Sequence, residues 1–153
     1  MPAIIEQTPV ESILLPPSGD PQVPGIHSDG LNRITSRVIV SRIDDKLHYE
    51  VLPIPIPAPG MGEAPWPWTL VWEFVSFNEE IHVDQLEVAL PADLPAGIAL
   101  VDSKRGQPLN EWQIIISLNE MMPRTEFTYD IVVGNASRGH DPTIVITTEP
   151  IDG

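Results

Sequence analysis

Hydrophobic and polar residues alternate along most of this chain, and alternation with a period of two predicts β-strands. The pattern is clearest over Trp68–Phe77, Glu111–Leu118 and Glu126–Val133. One face of each predicted strand is apolar, which places that face against a core. The inward positions are Trp68, Leu70, Trp72 and Phe74 in the first strand, Trp112, Ile114, Ile116 and Leu118 in the second, and Phe127, Tyr129, Ile131 and Val133 in the third.

Two further alternating segments, Ile34–Arg42 and Lys46–Leu52, predict a hairpin. The Asp44-Asp45 pair between them is typical of a tight turn.

Three weaker signals follow the central strand. The alternation changes phase at Asp84-Gln85, which predicts a bulge or a break between strands. Ile98–Asp102 predicts a short strand, and Ser103–Pro108 has the composition of a turn. Thr143–Thr148 predicts a last strand.

The chain contains 18 prolines, which leave little room for long helices. Pro53, Pro55, Pro57 and Pro59 occupy every second position, and alternate N–H groups of an extended chain point to the same edge. This run therefore predicts an edge strand that is protected against further pairing.

Together these segments predict an all-β fold, an immunoglobulin-like β-sandwich of about seven to nine antiparallel strands. The predicted sandwich domain spans residues 31–150, and residues 151–153 form a tail. Residues 1–30 contain six prolines and predict a Pro-rich N-terminal lead-in, with a possible short strand at Ala3–Gln7 and a loop at Gly25–Gly30.

Composition narrows the classes of function. The chain has 153 residues and no cysteine, which fits one domain without disulfides, thiolate metal sites or a cysteine nucleophile. Its net charge is −14, from 22 acidic and 8 basic residues. A field of that sign repels nucleic acid and anionic membranes, so we expect neither as a partner. The sequence shows neither a signal peptide nor a transmembrane run, which predicts a cytoplasmic protein.

The sequence carries no motif of a known catalytic class. It lacks a G-x-S-x-G elbow, a Walker phosphate loop and a dinucleotide-binding glycine motif. His82 and Asp84 would share one strand face, but two ligands are fewer than the three or four that zinc takes. We therefore predict no metal and no other cofactor. An enzyme would need a cleft that assembles distant residues such as His82, Asp84 and His140.

The loop 135–142 is the most polar connection in the chain. Asn135, His140 and Asp141 supply oxygen and nitrogen atoms that could bind a divalent ion or a partner, as loops at the ends of sandwich domains do. The alternative is that these residues are turn formers, with Asp141 or Asn135 bonding a nearby amide.

A second candidate site is aromatic. Trp66, which precedes Pro67 and Trp68, is the tryptophan that we expect to be partly exposed, where it would offer a platform for a sugar ring or a proline-rich peptide. Trp68 and Trp72 share the inward face of their strand and are expected in the core.

The segment from Leu118 through Met122-Pro123-Arg124-Thr125 to Tyr129 resembles the entry into strand F of immunoglobulin-like and fibronectin type III domains. In those domains an aromatic residue anchors the corner where the chain crosses between sheets. The resemblance implies that Phe127 or Tyr129 holds this position, and it concerns the fold alone.

Two dipeptides, Asp141-Pro142 and Glu149-Pro150, bracket the last predicted strand. This arrangement resembles the small bacterial DP-EP family, which is named for these dipeptides. The resemblance implies a compact bacterial sandwich domain of unknown function, and it supplies no catalytic residues.

From these patterns we expect a non-enzymatic domain that binds a protein partner or itself, through edge pairing or loop contacts. The alternative is a ligand-binding module for a carbohydrate or a divalent ion, using Trp66 or the loop that holds Asn135, His140 and Asp141. An enzyme ranks third.

Overall fold

The computed structural model describes residues 14–19, 23–28, 32–57, 66–78, 80–107, 109–119, 123–133 and 142–147. Their regular structure is almost entirely β, with a single 3₁₀ turn at Val83–Gln85 in this part of the chain. No helix within the described ranges has the length and apolarity needed to cross a membrane. The strands are β1 (Leu14–Leu15), β2 (Gly25–Ser28), β3 (Arg33–Ile43), β4 (Lys46–Glu50), β5 (Ile54–Pro57), β6 (Trp66–Ser76), β7 (Ile81–His82), β8 (Leu86–Ala89), β9 (Ile98–Arg105), β10 (Glu111–Leu118), β11 (Thr125–Thr128), β12 (Asp130–Val133) and β13 (Thr143–Thr147).

One large sheet and three smaller ones enclose the core. The large sheet has the order β2-β3-β6-β10-β9, and β4 pairs with β3 beyond the end of β2. The smaller sheets are β11-β13-β5, β12-β8 and β1-β7. Buried residues from all four sheets form one cluster, so the fold is an all-β sandwich, as the alternation predicts.

Strand β6 lies at the centre of the large sheet, between β3 and β10. Its inward residues are buried as predicted, and Leu70, Trp72 and Phe74 have no exposed surface. Each large side chain removed from water stabilises the fold by roughly 1.5–3 kcal/mol. The other fully buried residues come from both layers and include Ile54, Ile56, Ile81, Leu86, Ile114, Ile116, Leu118, Ile144 and Ile146.

Two strand pairs differ from the antiparallel expectation. β3 runs parallel to β6, and β5 runs parallel to β13. Between β3 and β6 the chain forms β4 and then β5, which belongs to another sheet. This excursion lets β6 return to the large sheet in the same direction as β3, because a parallel pair needs a long crossover.

Among the described residues, the part of the proline run that contains Pro55 and Pro57 forms an edge strand, as predicted. β5 lies at the edge of its sheet, with Ile54 and Ile56 buried against the core. Pro55 and Pro57 cannot donate hydrogen bonds, so only the two isoleucines supply N–H groups to the ladder with β13. The opposite edge of β5 therefore resists further pairing.

Two predicted loops are partly strand. Residues 25–28 of the expected loop form β2, because Ile26 pairs with Ser36 on the inward side of β3. The expected turn at Ser103–Pro108 begins later, since β9 continues to Arg105. Leu14–Leu15, also within the predicted lead-in, pairs with β7. The predicted strand Ala3–Gln7 lies outside the described residues.

The other local predictions are confirmed with more detail. The phase change at Asp84-Gln85 is the 3₁₀ turn that separates β7 from β8. Asp44 and Asp45 form the two-residue hairpin turn, both with positive φ, at 52° and 65°. The predicted strand Glu126–Val133 is divided at Tyr129 into β11 and β12, which pair with different sheets.

Candidate functional site

The structure does not describe the side chains of the residues predicted as ligand contacts. Asn135, His140 and Asp141 fall outside the described residues. Trp66 is the first residue of β6 and pairs with Leu118, but the structure does not describe its side chain. These site assignments therefore stay predictions.

The expected alignment of His82 with Asp84 is wrong. That expectation assumed one strand across both residues, whereas β7 ends at His82 and Asp84 belongs to the 3₁₀ turn that follows. Across the described ranges, no group of three or more histidine or acidic side chains is placed to hold a metal ion.

The structure brings together a different set of residues, on the face of the large sheet that points away from the core. We call this the outer face. Residues paired across neighbouring strands point to the same side of a sheet. One row across the outer face is Gly25, Arg37, Glu73 and Glu111, from β2, β3, β6 and β10. The next row is His27, Thr35, Val71 and Gln113.

A shallow pocket of about 220 Å³ lies where these two rows meet. We call it the Arg37 pocket, and it is lined by Gly25, Ile26, His27, Thr35, Arg37 and Glu73. A Cβ atom at Gly25 would meet no atom within 4 Å, so the missing side chain keeps one wall of the pocket open.

A weak ion pair crosses the pocket. The Arg37 Nε donates to Glu73 Oε1 at 3.4 Å, and the two side chains are 46% and 34% exposed. Such exposed pairs contribute about 0–1 kcal/mol to stability. The Arg37 side chain has no other hydrogen bond or ion pair within the described residues. Its terminal amino groups can therefore donate to a partner at little cost.

Two carboxylates lie side by side in the same row, because Glu111 pairs directly with Glu73. Partial burial raises the pKa of Glu111, the neighbouring Glu73 raises that pKa further, and Arg33 partly offsets both effects. Like charges directly opposite each other destabilise a sheet. A donor group from a bound partner would relieve this repulsion.

The outer face differs from the rest of the chain in charge. Strand alternation places four basic and four acidic side chains on it, so its net charge is zero among the described residues. The net charge of −14 therefore falls on the rest of the chain. The eight residues are Arg33, Arg37, Lys46 and Lys104, and Glu50, Glu73, Asp102 and Glu111.

These side chains suit binding. Arg37 supplies hydrogen-bond donors, Glu73 supplies acceptors, and the Thr35 hydroxyl can do either. Sequence reasoning missed the site because Arg37 and Glu73 are 36 positions apart and meet only through the parallel register of β3 and β6. The alternation does mark both residues as outward-facing, but it does not say which strands are neighbours.

Comparison with known proteins adds no assignment: no family model, curated protein or solved structure matches this chain. The resemblances to the DP-EP family and to immunoglobulin-like domains therefore stay predictions.

Proposed function

We propose that this domain is a non-enzymatic interaction module, and that it binds a partner protein or a second copy of itself through the outer face of the large sheet. The observation that carries the proposal is the charge distribution. A chain of net charge −14 repels another copy and most acidic partners at long range. The outer face has no net charge, so it is the surface that such a partner can approach with least repulsion.

The composition of the outer face supports the same proposal. Ile39 and Val71 lie near its centre but are buried, so the half-buried Val75 and Ile115 beside them supply the apolar surface that a partner can reach. Around this apolar centre lie Arg37 and the other charged residues. Arginine is enriched in protein interfaces, where it combines charge with a long apolar stem.

Sedimentation velocity across the micromolar range tests this proposal. We expect association in this range, and we expect Arg37→Glu to abolish it. Arg124→Glu is the matched control, because Arg124 forms a similar exposed ion pair with Glu126 at 3.7 Å, away from the large sheet. Equal behaviour of the two variants would exclude the outer face as the contact surface.

If the chain is a monomer, the same two variants test a heterologous partner. A protein captured by the unsubstituted chain and by Arg124→Glu, but not by Arg37→Glu, would bind at the outer face. Capture that is insensitive to Arg37 would count against the proposal.

The Arg37 pocket favours a second candidate function, the binding of a neutral polyhydroxyl ligand such as a sugar. The pocket lining contains both hydrogen-bond donors and acceptors, which suits the hydroxyl groups of a sugar, and a neutral ligand is not repelled by the net charge. A thermal-shift screen with a glycan panel tests it. Gly25→Phe should fill the pocket and remove any shift, because the position has open space and ordinary backbone geometry.

A further inference from the structure

Strand β9 forms one edge of the large sheet, and no other described strand pairs with its outer side. It is eight residues long, and Leu100 and Val101 are 50% and 61% exposed. A long edge strand with exposed apolar side chains is a template for pairing with another chain.

The hydrogen-bond pattern shows which backbone groups of β9 point outward. The Gly106 N–H donates to the Glu111 carbonyl at 2.7 Å, and the register with β10 then runs unbroken back to Asp102. Hydrogen-bonded pairs alternate along an antiparallel ladder. Lys104 and Asp102 consequently bond to β10, whereas the backbone groups of Ser103 and Arg105 point to the open edge.

The outward N–H of Ser103 is already occupied. It donates to the Asp102 carboxylate Oδ1 at 2.9 Å, and the other oxygen of that carboxylate lies 3.6 Å from the Lys104 ammonium. The same occurs near the start of the strand, where the Ile98 N–H donates to the Pro95 carbonyl at 3.2 Å. A register shift at Val101 further interrupts the edge between these two positions.

We propose that Asp102 closes the β9 edge against a second copy of this chain. An incoming strand must displace the carboxylate before it can accept the Ser103 N–H, so each new interstrand bond only replaces an existing one. Removing the carboxylate leaves an open donor, and self-pairing then gains hydrogen bonds.

In the unsubstituted chain, the β9 edge is complementary in charge to a second copy of itself in one register, which favours that copy as the occupant. A two-fold axis at Ser103 pairs the two Ser103 residues and places Lys104 of each copy opposite position 102 of the other. An axis at Asp102 or at Lys104 would instead place two like charges opposite each other, which is unfavourable. Asp102 and Lys104 belong to the β9 margin of the outer face, but the proposal concerns backbone pairing at the edge and does not depend on binding at that face.

The test compares Asp102→Ala with Asp102→Asn by sedimentation velocity, both in an Arg37→Glu background that removes association through the outer face. Both substitutions remove one negative charge, but asparagine keeps an oxygen that can accept the Ser103 N–H. We expect Asp102→Ala to tighten self-association by about tenfold or more, since two interstrand bonds are gained per dimer. Asp102→Asn should behave like its parent.

A matched control lies on β11, which is also an edge strand. Glu126 is exposed and pairs with Arg124 two residues away, as Asp102 pairs with Lys104, but no backbone N–H donating to it is described. Glu126→Ala should leave the association state unchanged. The double variant Asp102→Ala/Ser103→Pro should return to the parent state, because proline has no N–H to offer an incoming strand.

Three results would overturn the proposal. The first is that Asp102→Ala sediments with the same mass as its parent. The second is that Asp102→Asn self-associates as strongly as Asp102→Ala. The third is that the double variant with Ser103→Pro still self-associates. Circular dichroism confirms that each variant keeps its strand content, so each result bears on the edge itself.

Discussion

A buried hydrogen bond joins Trp72 to Tyr129: the indole Nε1 donates to the phenol oxygen at 2.9 Å, and the two ring centroids lie 5.3 Å apart. Trp72 lies at the centre of β6 in the large sheet, and Tyr129 lies where the chain passes from β11 to β12. The bond therefore ties the large sheet to the opposite layer. Of the two aromatic residues expected at this corner, the buried one is Tyr129, while Phe127 is only half-buried.

We predict that Tyr129→Phe destabilises the fold by about 1–3 kcal/mol, because it leaves the buried indole N–H without an acceptor. Urea unfolding measures the change. Trp72→Phe combined with Tyr129→Phe should cost less than the sum of the two single changes, since the pair interacts directly. Full additivity would contradict the bond as a source of stability.

Tyr129 should also make the fold sensitive to alkali. Burial raises the pKa of its phenol well above the ordinary value, the Trp72 bond opposes the rise, and Tyr49 adds to it. Above about pH 10 the unfolded chain releases this proton and the folded chain retains it, so stability falls by about 1.4 kcal/mol per pH unit. The slope of unfolding free energy against pH should be shallower in Tyr129→Phe. Identical slopes would show that this phenol does not titrate differently in the two states.

Arg105 should stabilise the 3₁₀ turn that separates β7 from β8. Its Nη1 donates to the carbonyls of Val83 and Leu86, the latter at 3.1 Å, and its guanidinium lies 5.3 Å from the Trp112 ring centre. Arg105→Lys loses the planar guanidinium, whose Nη1 donates to both carbonyls and whose face lies near Trp112, and we expect a loss of about 1–3 kcal/mol in unfolding free energy. Lys104→Ala, one position earlier and exposed, should change it by less than about 0.5 kcal/mol.

Ser36 should be a site where a substitution stabilises the protein. Its hydroxyl is completely buried on the inward face of β3 and has no hydrogen-bond partner among the described residues. Ser36→Ala removes this unsatisfied group at little cost in packing, so we expect the unfolding free energy to rise by about 1 kcal/mol. Ser76 is equally buried but does have an interaction partner, and Ser76→Ala should lower stability. A loss of stability in both variants would contradict the prediction.

The alternation of apolar and polar residues predicted most strands correctly, because burying one face of a sheet requires an apolar residue at every second position. The faces of β6 and β10 follow from their sequences, as does the edge position of β5 with Pro55 and Pro57. The strands at 25–28 and 103–105 were not predicted, because these segments contain residues typical of turns, such as Gly25 and Ser103. Both segments are strands because β3 and β10 offer open ladders beside them.

Strand neighbours and directions were not predictable, because periodicity carries no information about pairing. The parallel register of β3 and β6 is what brings Arg37 to Glu73, so the Arg37 pocket has no local signal in the sequence. His82 and Asp84 were expected on one strand because the alternation assumes an extended backbone. A 3₁₀ turn at Val83–Gln85 interrupts that backbone.

The parallel partnership of β5 and β13 has a consequence for the order of folding. Ile54 pairs with Ile144 and Ile56 with Ile146, so each contact closes a loop of 90 residues. Loops of that length are closed late and slow the search for the native state. During synthesis Ile54 and Ile56 leave the ribosome long before residues 143–147, and until then they remain without their ladder. A nascent chain therefore carries an apolar, unpaired strand. Because Pro55 and Pro57 have no N–H groups, they limit the pairing of that strand with other chains before β13 is made.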